Sequence, residues 1–220
     1  MISASSLQFL KNLSENNNRE WFQAHKGKFH ESRENVLQFT AQLIKNLSEI
    51  DSKIPANVSP EDCVMRIYRD IRFSKDKTPY KTNFGITVSP NGKNFNGPGY
   101  YIHLEPGKSF IGGGSWYPEA EQLKAIRQEI DYNSEEFSEI IDAEPFKRTF
   151  KTLDVEHSLK TVPKGYSADN EFIQYLKLKS FVTTKPLTDK EVTRKDFPDA
   201  VSQIFESLYP FIVFLRNAVS

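Results

Sequence analysis

The spacing of the apolar residues changes once in the first half of this chain, and that change restricts its fold more than any other sequence feature. Before Pro55, leucines and phenylalanines recur at intervals of three and four residues, which is the period of an amphipathic helix. After Pro60, apolar and polar residues alternate, which is the period of a strand with one buried face. Helices and strands in separate segments are typical of an α+β fold.

The same spacing predicts where the elements lie. We expect N-terminal helices over residues 6–50, a sheet core over 63–116 and a mainly helical part over 118–220. Short turn sequences separate the strands, so the sheet is expected to be an antiparallel β-meander with helices packed mainly on one face. Its first strand is expected over residues 65–71, and the glycines at 112–114 are expected to loosen the pairing of the last strand.

Length and composition favour one cytoplasmic domain over residues 1–220. The chain has 29 basic and 29 acidic residues, so its net charge of zero excludes a protein that is basic all over its surface. A lone cysteine, Cys63, and an N-terminus without the pattern of a secretion signal favour the cytoplasm. The longest strongly apolar run, residues 211–215, is far shorter than the roughly 20 residues of a membrane span, so no membrane partner is expected.

Metal and cofactor signals are weak. The four histidines show none of the spacings of a zinc site, and one cysteine cannot build a thiolate cage. The chain has neither a P-loop nor a dinucleotide-binding glycine pattern. We therefore expect no metal and no cofactor.

Residues 66–81 concentrate positive charge on a chain that is neutral as a whole. The segment has six basic and two acidic residues, a balance of 6 − 2 = +4. Because it joins two predicted strands, its side chains are expected on a positioned loop. Arginine binds oxyanions with planar two-point geometry and lysine adds a mobile charge, so a phosphate or carboxylate ligand is expected. The candidate ligand-binding residues of this region are Arg66, Arg69, Arg72, Lys75, Lys77 and Lys81, with Tyr80 and Tyr101.

Two structural alternatives compete with ligand binding in this segment. A turn rich in charge often does no more than stay in water. Residues 129–144 also carry seven acidic residues and no lysine or arginine, so the basic segment could complement an acidic surface of the same chain. Both alternatives stay open at the level of sequence.

Arg127 is a further candidate for the anion site. In the helix predicted after Pro118 it lies on the same face as the apolar residues Ile126 and Ile130. A buried guanidinium needs a partner, because unpaired burial of a charge is very costly. That partner is either an acidic side chain of the core or a bound anion beside the glycines at 112–114, whose amides could also contribute to a phosphate site.

His103 and Glu105 are the candidate catalytic pair. Residues two apart on a strand share a face, so these side chains can form a hydrogen-bonded dyad on the polar face of the meander. A carboxylate that orients a histidine is a common arrangement for proton transfer near neutral pH. A solvated histidine on an open sheet face explains the same spacing equally simply.

Several longer strings resemble one protein family. They are "NNNREWF", "RIYRDIRFSKDKTPYKTNFG", "GPGYYIHLEPGKSFIGGGSWYP", "LKAIRQEI" and "PKGY". Together they resemble the family called domain of unknown function 2461, over roughly residues 6 to 215. The resemblance implies a single α+β domain, and it implies no activity, cofactor or substrate.

Three hypotheses follow from the sequence. The first is a protein that binds a small phosphate- or carboxylate-bearing ligand through the candidate residues above, either as an enzyme or without catalysis. The second is an interaction module that docks an acidic protein surface or nucleic acid through the same basic segment. The third gives the basic segment a purely structural role.

Overall fold

The computed structural model describes all residues from 1 to 220. It contains ten helices and a four-stranded antiparallel sheet, with 50% of the residues in helices and 13% in strands. The α+β class predicted from the change in apolar spacing is therefore confirmed. None of the helices is long and apolar enough to cross a membrane.

Four helices precede the first strand in sequence and six follow the third, and the two longest helices lie near the two ends of the chain. The ten helices are α1 (Ala4–Glu15), α2 (Arg19–Ala24), α3 (Lys26–Ile50), α4 (Pro60–Cys63), α5 (Ala120–Tyr132), α6 (Ser134–Asp142), α7 (Glu144–Phe150), α8 (Ile173–Leu176), α9 (Asp189–Val192) and α10 (Phe197–Ala218). The side chains of Ser3 and Asn18 cap the N-termini of α1 and α2.

The strands follow one another across the sheet in chain order, β1-β2-β3-β4. They are β1 (Phe84–Val88), β2 (Gly99–Leu104), β3 (Phe110–Ser115) and β4 (Phe181–Pro186). The first three form the predicted meander, and β4 is added beside β3 after the helices that follow it in sequence. In β2 the side chains of Tyr100, Ile102 and Leu104 are fully buried, as the two-residue alternation predicts.

The glycine run differs from its expectation, because it lies inside β3 and pairs on both sides. A Cβ atom on Gly112 would overlap the carbonyl group of Thr183, and one on Gly114 would overlap that of Phe181. The absence of side chains therefore lets β4 come close to β3, instead of loosening the pairing. Gly112 to Gly114 are buried within the sheet, which removes the proposed amide site for a phosphate.

The segment expected to be the first strand is not a regular strand. Residues 64–69 run antiparallel to 79–86 and pair through two isolated bridges, Val64 with Ile86 and Tyr68 with Tyr80. We call residues 64–86 the basic hairpin, residues 64–68 and 79–86 its legs and residues 69–78 its tip.

Contacts between Cα atoms divide the chain into two compact units. Unit 1 consists of Met1–Phe95, Tyr101–Ile111 and Pro186–Gln203, and unit 2 of Asn96–Tyr100, Gly112–Lys185 and Ile204–Ser220. The core of unit 1 includes leucines of α1 and α3 together with Phe9 and Phe22, whose rings meet edge to face. Unit 2 contains its own aromatic core, in which Phe137 packs near Phe214. One domain over residues 1–220 stays a prediction, as does packing of the helices mainly on one face.

Candidate anion-binding site

The basic hairpin of unit 1 is held in place by backbone pairing and by Asn17. The amide of Met65 donates to the carbonyl of Gly85 (2.9 Å), and the amide of Lys81 donates to that of Ile67 (2.7 Å). The side-chain amide of Asn17 donates to the carbonyl of Tyr80 (2.9 Å) and accepts from its amide (3.1 Å). Asn17 thus replaces a neighbouring strand for this leg.

Tyr80 itself lies in the core. Only 3% of its surface is exposed, and its ring stacks on Phe22 with centroids 4.0 Å apart. Burial is the main reason that the pKa of Tyr80 is raised above its usual value. Tyr80, which the sequence suggests as a ligand-binding residue, therefore packs in the core instead.

Arg69 organises the tip of the hairpin. Its guanidinium contacts the carboxylate of Asp76 and the hydroxyl of Thr78, and reaches the hydroxyl of Ser74 at 3.5 Å. The pKa of Asp76 falls to about 2, chiefly because its carboxylate accepts from the backbone amide of Thr78 and then because of Arg69. The positive charge of Arg69 is therefore balanced inside the tip.

Arg72 and Lys77 also find partners within the tip. Arg72 binds Asp70 through two parallel hydrogen bonds of 3.0 and 2.7 Å, the two-point geometry that arginine and carboxylate prefer. The ammonium group of Lys77 donates to the carbonyl of Ile71 (2.9 Å). The acids that neutralise the two tip arginines thus come from the tip itself.

Arg66 and Lys81 on the two legs are in a different situation. Neither side chain makes an ion pair or a hydrogen bond with the protein. Lys81 is partly buried, and this burial, followed by the nearby charge of Arg66, lowers its pKa from the usual 10.5. The legs therefore hold two neighbouring cations that form no salt bridge. Arg66 still has an acidic neighbour, since the pKa of Asp70 is lowered mainly by hydrogen bonds from Arg72 and to a smaller extent by the charge of Arg66. Lys75 of the tip also forms no salt bridge and is exposed.

Four polar side chains form a hydrogen-bonded chain on the face of β2. The hydroxyl of Tyr101 lies 3.2 Å from Nδ1 of His103, and Nε2 of His103 lies 3.0 Å from Oε2 of Glu105. The other oxygen of Glu105 accepts from the hydroxyl of Thr82 at 2.9 Å. We call Thr82, Glu105, His103 and Tyr101 the polar chain.

The carboxylate of Glu105 fixes the hydrogen-bond direction at one end of the polar chain. A carboxylate only accepts, so Nε2 of His103 donates to Glu105, and in the neutral imidazole Nδ1 then accepts from the hydroxyl of Tyr101. Burial, and next the charge of Glu105, raises the pKa of Tyr101, which keeps this hydroxyl protonated. The His103 ring stacks on Phe110 at 4.8 Å, so its orientation is fixed by packing as well as by hydrogen bonds.

This geometry contains the dyad that the two-residue spacing of His103 and Glu105 predicts, and it adds Thr82. Thr82 lies two residues before β1 in an irregular segment, where alternation gives no information about which face its side chain occupies. Its closeness to Glu105 depends on how this leg meets β2, which sequence spacing does not encode.

Arg127 belongs to unit 2 and has its partners there. Its Nη2 donates to the carbonyl of Leu178 (3.0 Å), while its Nε is buried without a hydrogen-bond partner. Burial lowers the pKa of Arg127, and the nearby Tyr166 partly offsets that effect. The hydrogen-bond partner of Arg127 is therefore a backbone carbonyl. It is not an acidic side chain of the core, which is one of the two partners expected from the sequence.

The family of the chain follows from its similarity to known proteins. A family model described as "Conserved hypothetical protein (DUF2461)" matches residues 5–214. The chain belongs to the DUF2461 family. No curated protein and no solved structure matches it.

Three acidic residues of the segment 129–144 bind partners within unit 2 of this DUF2461 protein. Glu129 accepts from Asn133 (2.8 Å), Asp131 accepts from Asn170 (2.7 Å), and Asp142 pairs with Lys147 (2.8 Å). All of these residues lie in unit 2. The carboxylates that pair with the arginines of the basic hairpin are those of Asp70 and Asp76 in the hairpin itself.

Side chains for a metal site do not converge in this DUF2461 protein, since no group of three or more His, Cys, Asp or Glu residues could hold an ion. Cys63 is buried, and desolvation raises its pKa to about 11. At neutral pH its thiol stays protonated and is a poor nucleophile.

Proposed function

We propose that this DUF2461 protein is a cytoplasmic protein that binds a small phosphate- or carboxylate-bearing ligand between Arg66 and Lys81. The observation that carries the proposal is that two like charges on the legs of the hairpin, one of them partly buried, lie close enough to repel each other while neither forms a salt bridge. Such a repulsion destabilises the free protein. An anion between them relieves the repulsion and compensates the burial.

The arrangement of the other cations supports this position for the anion. Arg69 and Arg72 are already bound to Asp76 and Asp70, so a ligand there would have to displace a carboxylate. Arg66 and Lys81 bind no carboxylate directly, although the charge of Asp70 lies within electrostatic range of Arg66. Arginine provides the planar two-point contact, and lysine provides a flexible charge that adapts to the second oxygen.

The polar chain is the candidate for proton transfer at this site. Thr82 follows Lys81 directly and binds Glu105, so one leg of the hairpin carries both a candidate anion ligand and one end of the chain. For a reaction at the bound ligand, His103 is the group that accepts or returns a proton, and Glu105 orients it. A binding protein without catalysis would use the same cations and leave the polar chain as a structural network.

A thermal-shift titration with inorganic phosphate and with malonate tests the binding site. A ligand at 100 times its Kd stabilises the protein by about 2.7 kcal/mol, which corresponds to a rise in Tm of roughly 5 to 10 °C for a chain of this length. We expect the shift to disappear in Lys81→Gln and in Arg66→Gln. The matched control is Lys75→Gln, which removes an exposed cation of the same hairpin and should keep the shift. A shift that all three variants retain, or no shift in the wild type, would contradict the proposal.

The pH dependence of phosphate binding is a second test, and its expected direction follows from the pKa of Lys81. Because the pKa of Lys81 is lowered in the folded protein, the folded state binds fewer protons than the unfolded state between the lowered pKa and 10.5. The contribution of Lys81 to the free energy of unfolding therefore rises with pH in that interval. An anion binds the charged form, so we expect phosphate affinity to fall as the pH rises through the lowered pKa. Affinity that is flat over this interval, or equal in Lys81→Gln, would exclude Lys81 as a ligand residue.

A further inference from the structure

Phe73 is the most exposed large apolar side chain of the protein. It lies at the tip of the basic hairpin with 95% of its surface in water, and the guanidinium of Arg72 lies 5.8 Å from its ring centroid. Single exposed apolar residues are common on protein surfaces. A phenylalanine that is almost wholly exposed within a segment rich in cations is a more specific arrangement, because it combines a flat apolar face with positive charge.

The tip that carries Phe73 is ordered by its own hydrogen bonds. Arg69 reaches Ser74, Asp76 and Thr78, and Arg72 is held by Asp70. The backbone amides of Arg72 and Thr78 donate to the carboxylates of Asp70 and Asp76. The ring is therefore presented on a framework that does not have to become ordered when a ligand binds, which lowers the entropic cost of binding.

The charge that remains on the hairpin is positive. The carboxylates of Asp70 and Asp76 are engaged by arginines, which leaves four basic side chains of the hairpin without a salt bridge. These are Arg66, Lys75, Lys77 and Lys81. An aromatic face for stacking together with cations for the backbone is the combination with which proteins bind single-stranded nucleic acid.

We propose that the basic hairpin binds a short stretch of single-stranded nucleic acid, with a base stacked on Phe73 and backbone phosphates at the four cations that form no salt bridge. The inference rests on the proposed function, since the phosphate between Arg66 and Lys81 becomes one phosphate of the strand. A duplex fits the site less well, because its bases already stack on one another and offer no face to Phe73. An acidic protein surface would use the cations but would need an apolar pocket for the ring.

Fluorescence anisotropy with a labelled twelve-nucleotide oligo(dT) tests this inference on the full chain. We expect binding that weakens with salt at a slope of about −3 in the logarithms of affinity and salt concentration, from roughly 0.7 per phosphate for four contacts. Phe73→Ala should lower the affinity by about 5- to 150-fold, the range measured when a stacking aromatic is removed. The matched control is Tyr132→Ala, which removes an aromatic side chain that is 74% exposed in unit 2 and should leave the affinity unchanged.

Each other outcome rejects a defined part of the inference. A phosphate shift that depends on Lys81, without oligonucleotide binding, would overturn the nucleic-acid inference and leave the proposed function in place. Equal affinity of wild type and Phe73→Ala, or equal affinity for a duplex of the same length, would reduce the interaction to charge alone and reject the stacking site. Poly-glutamate that binds as tightly as the oligonucleotide would assign the hairpin to an acidic protein partner. If neither phosphate nor oligonucleotide binds, the proposed function and the inference both fall.

Discussion

The tip and the legs of the basic hairpin contain the same residue types but use them differently. In the tip, Arg69 and Arg72 pair with Asp76 and Asp70, so the charges neutralise each other in contact with water. On the legs, Arg66 and Lys81 lie near each other and form no salt bridge, and burial, followed by the charge of Arg66, lowers the pKa of Lys81. The density of charge in a sequence therefore does not reveal how much of that charge is available to a ligand.

The aromatic residues of the hairpin show the same division in reverse. Tyr80 on a leg is buried against Phe22, while Phe73 in the tip is exposed. The buried ring of Tyr80 stabilises the fold while the two leg cations form no salt bridge, whereas in the tip the arginines stabilise the loop and the ring of Phe73 is exposed. Tyr68, another aromatic residue of the legs, is half-exposed. The groups that we propose to bind a ligand, the leg cations and the ring of Phe73, are therefore groups that do not stabilise the fold.

The largest expected effect concerns the two rings. Tyr80→Ala should destabilise the protein by about 3–5 kcal/mol, because it removes a buried ring that is stacked on Phe22. Phe73→Ala should change the free energy of unfolding by less than about 0.5 kcal/mol, because the ring contacts little of the protein. Chemical denaturation of both variants measures the difference, and Tyr80→Phe is the control that keeps the ring. Equal losses of unfolding free energy in the two alanine variants would contradict the difference between the buried ring of the leg and the exposed ring of the tip.

A smaller effect is expected in the polar chain that adjoins the leg. Glu105→Gln removes a negative charge near Tyr101, so the pKa of Tyr101 should fall towards its usual value of 10 while burial keeps it above that value. NMR titration of the tyrosine Cζ signals measures this change, and Glu135→Gln, an exposed acid of α6, is the control. An unchanged or higher pKa of Tyr101 in Glu105→Gln would contradict the hydrogen-bonded chain.

The smallest effect is expected from the ion pairs of the tip. Asp76→Asn should increase hydrogen exchange at the amides of residues 70–78 without moving the midpoint of global unfolding, because the pair is exposed to water. In the wild type the pKa of Asp76 is depressed to about 2, so its contribution to the local stability of the tip is complete above 3.8 and is lost as the pH falls through about 2. Asp169→Asn removes an exposed aspartate of unit 2 and serves as the control. Loss of global stability in Asp76→Asn would show that the tip is part of the cooperative core.

Sequence spacing predicts the features that depend on local geometry. The two-residue alternation predicts the buried face of β2 and the shared face of His103 and Glu105, because side-chain direction in a strand alternates with every residue. The same rule is wrong for residues 65–71, which show alternation but pair only through isolated bridges. Alternation tells which residues share a face, and it does not tell whether a regular partner strand is present.

Other features depend on residues far apart in the chain. The glycines at 112–114 are unfavourable for an isolated strand, yet they are required by the close approach of Phe181 and Thr183, almost 70 residues later. Asn17 completes the hydrogen bonds of Tyr80 across a separation of 63 residues. Neither contact has a signal within a short window of sequence.

The amino-acid sequence by itself determined the α+β class, the order of the meander strands, the family and the region in which positive charge is concentrated. Only the tertiary structure decided which cations are neutralised, which aromatic ring is exposed and that Arg127 donates to a backbone carbonyl in unit 2. The physical reason is the range of the interactions. Backbone geometry repeats over two to four residues and leaves a pattern in the sequence, whereas ion pairing and burial depend on distances in space that the folded chain alone establishes.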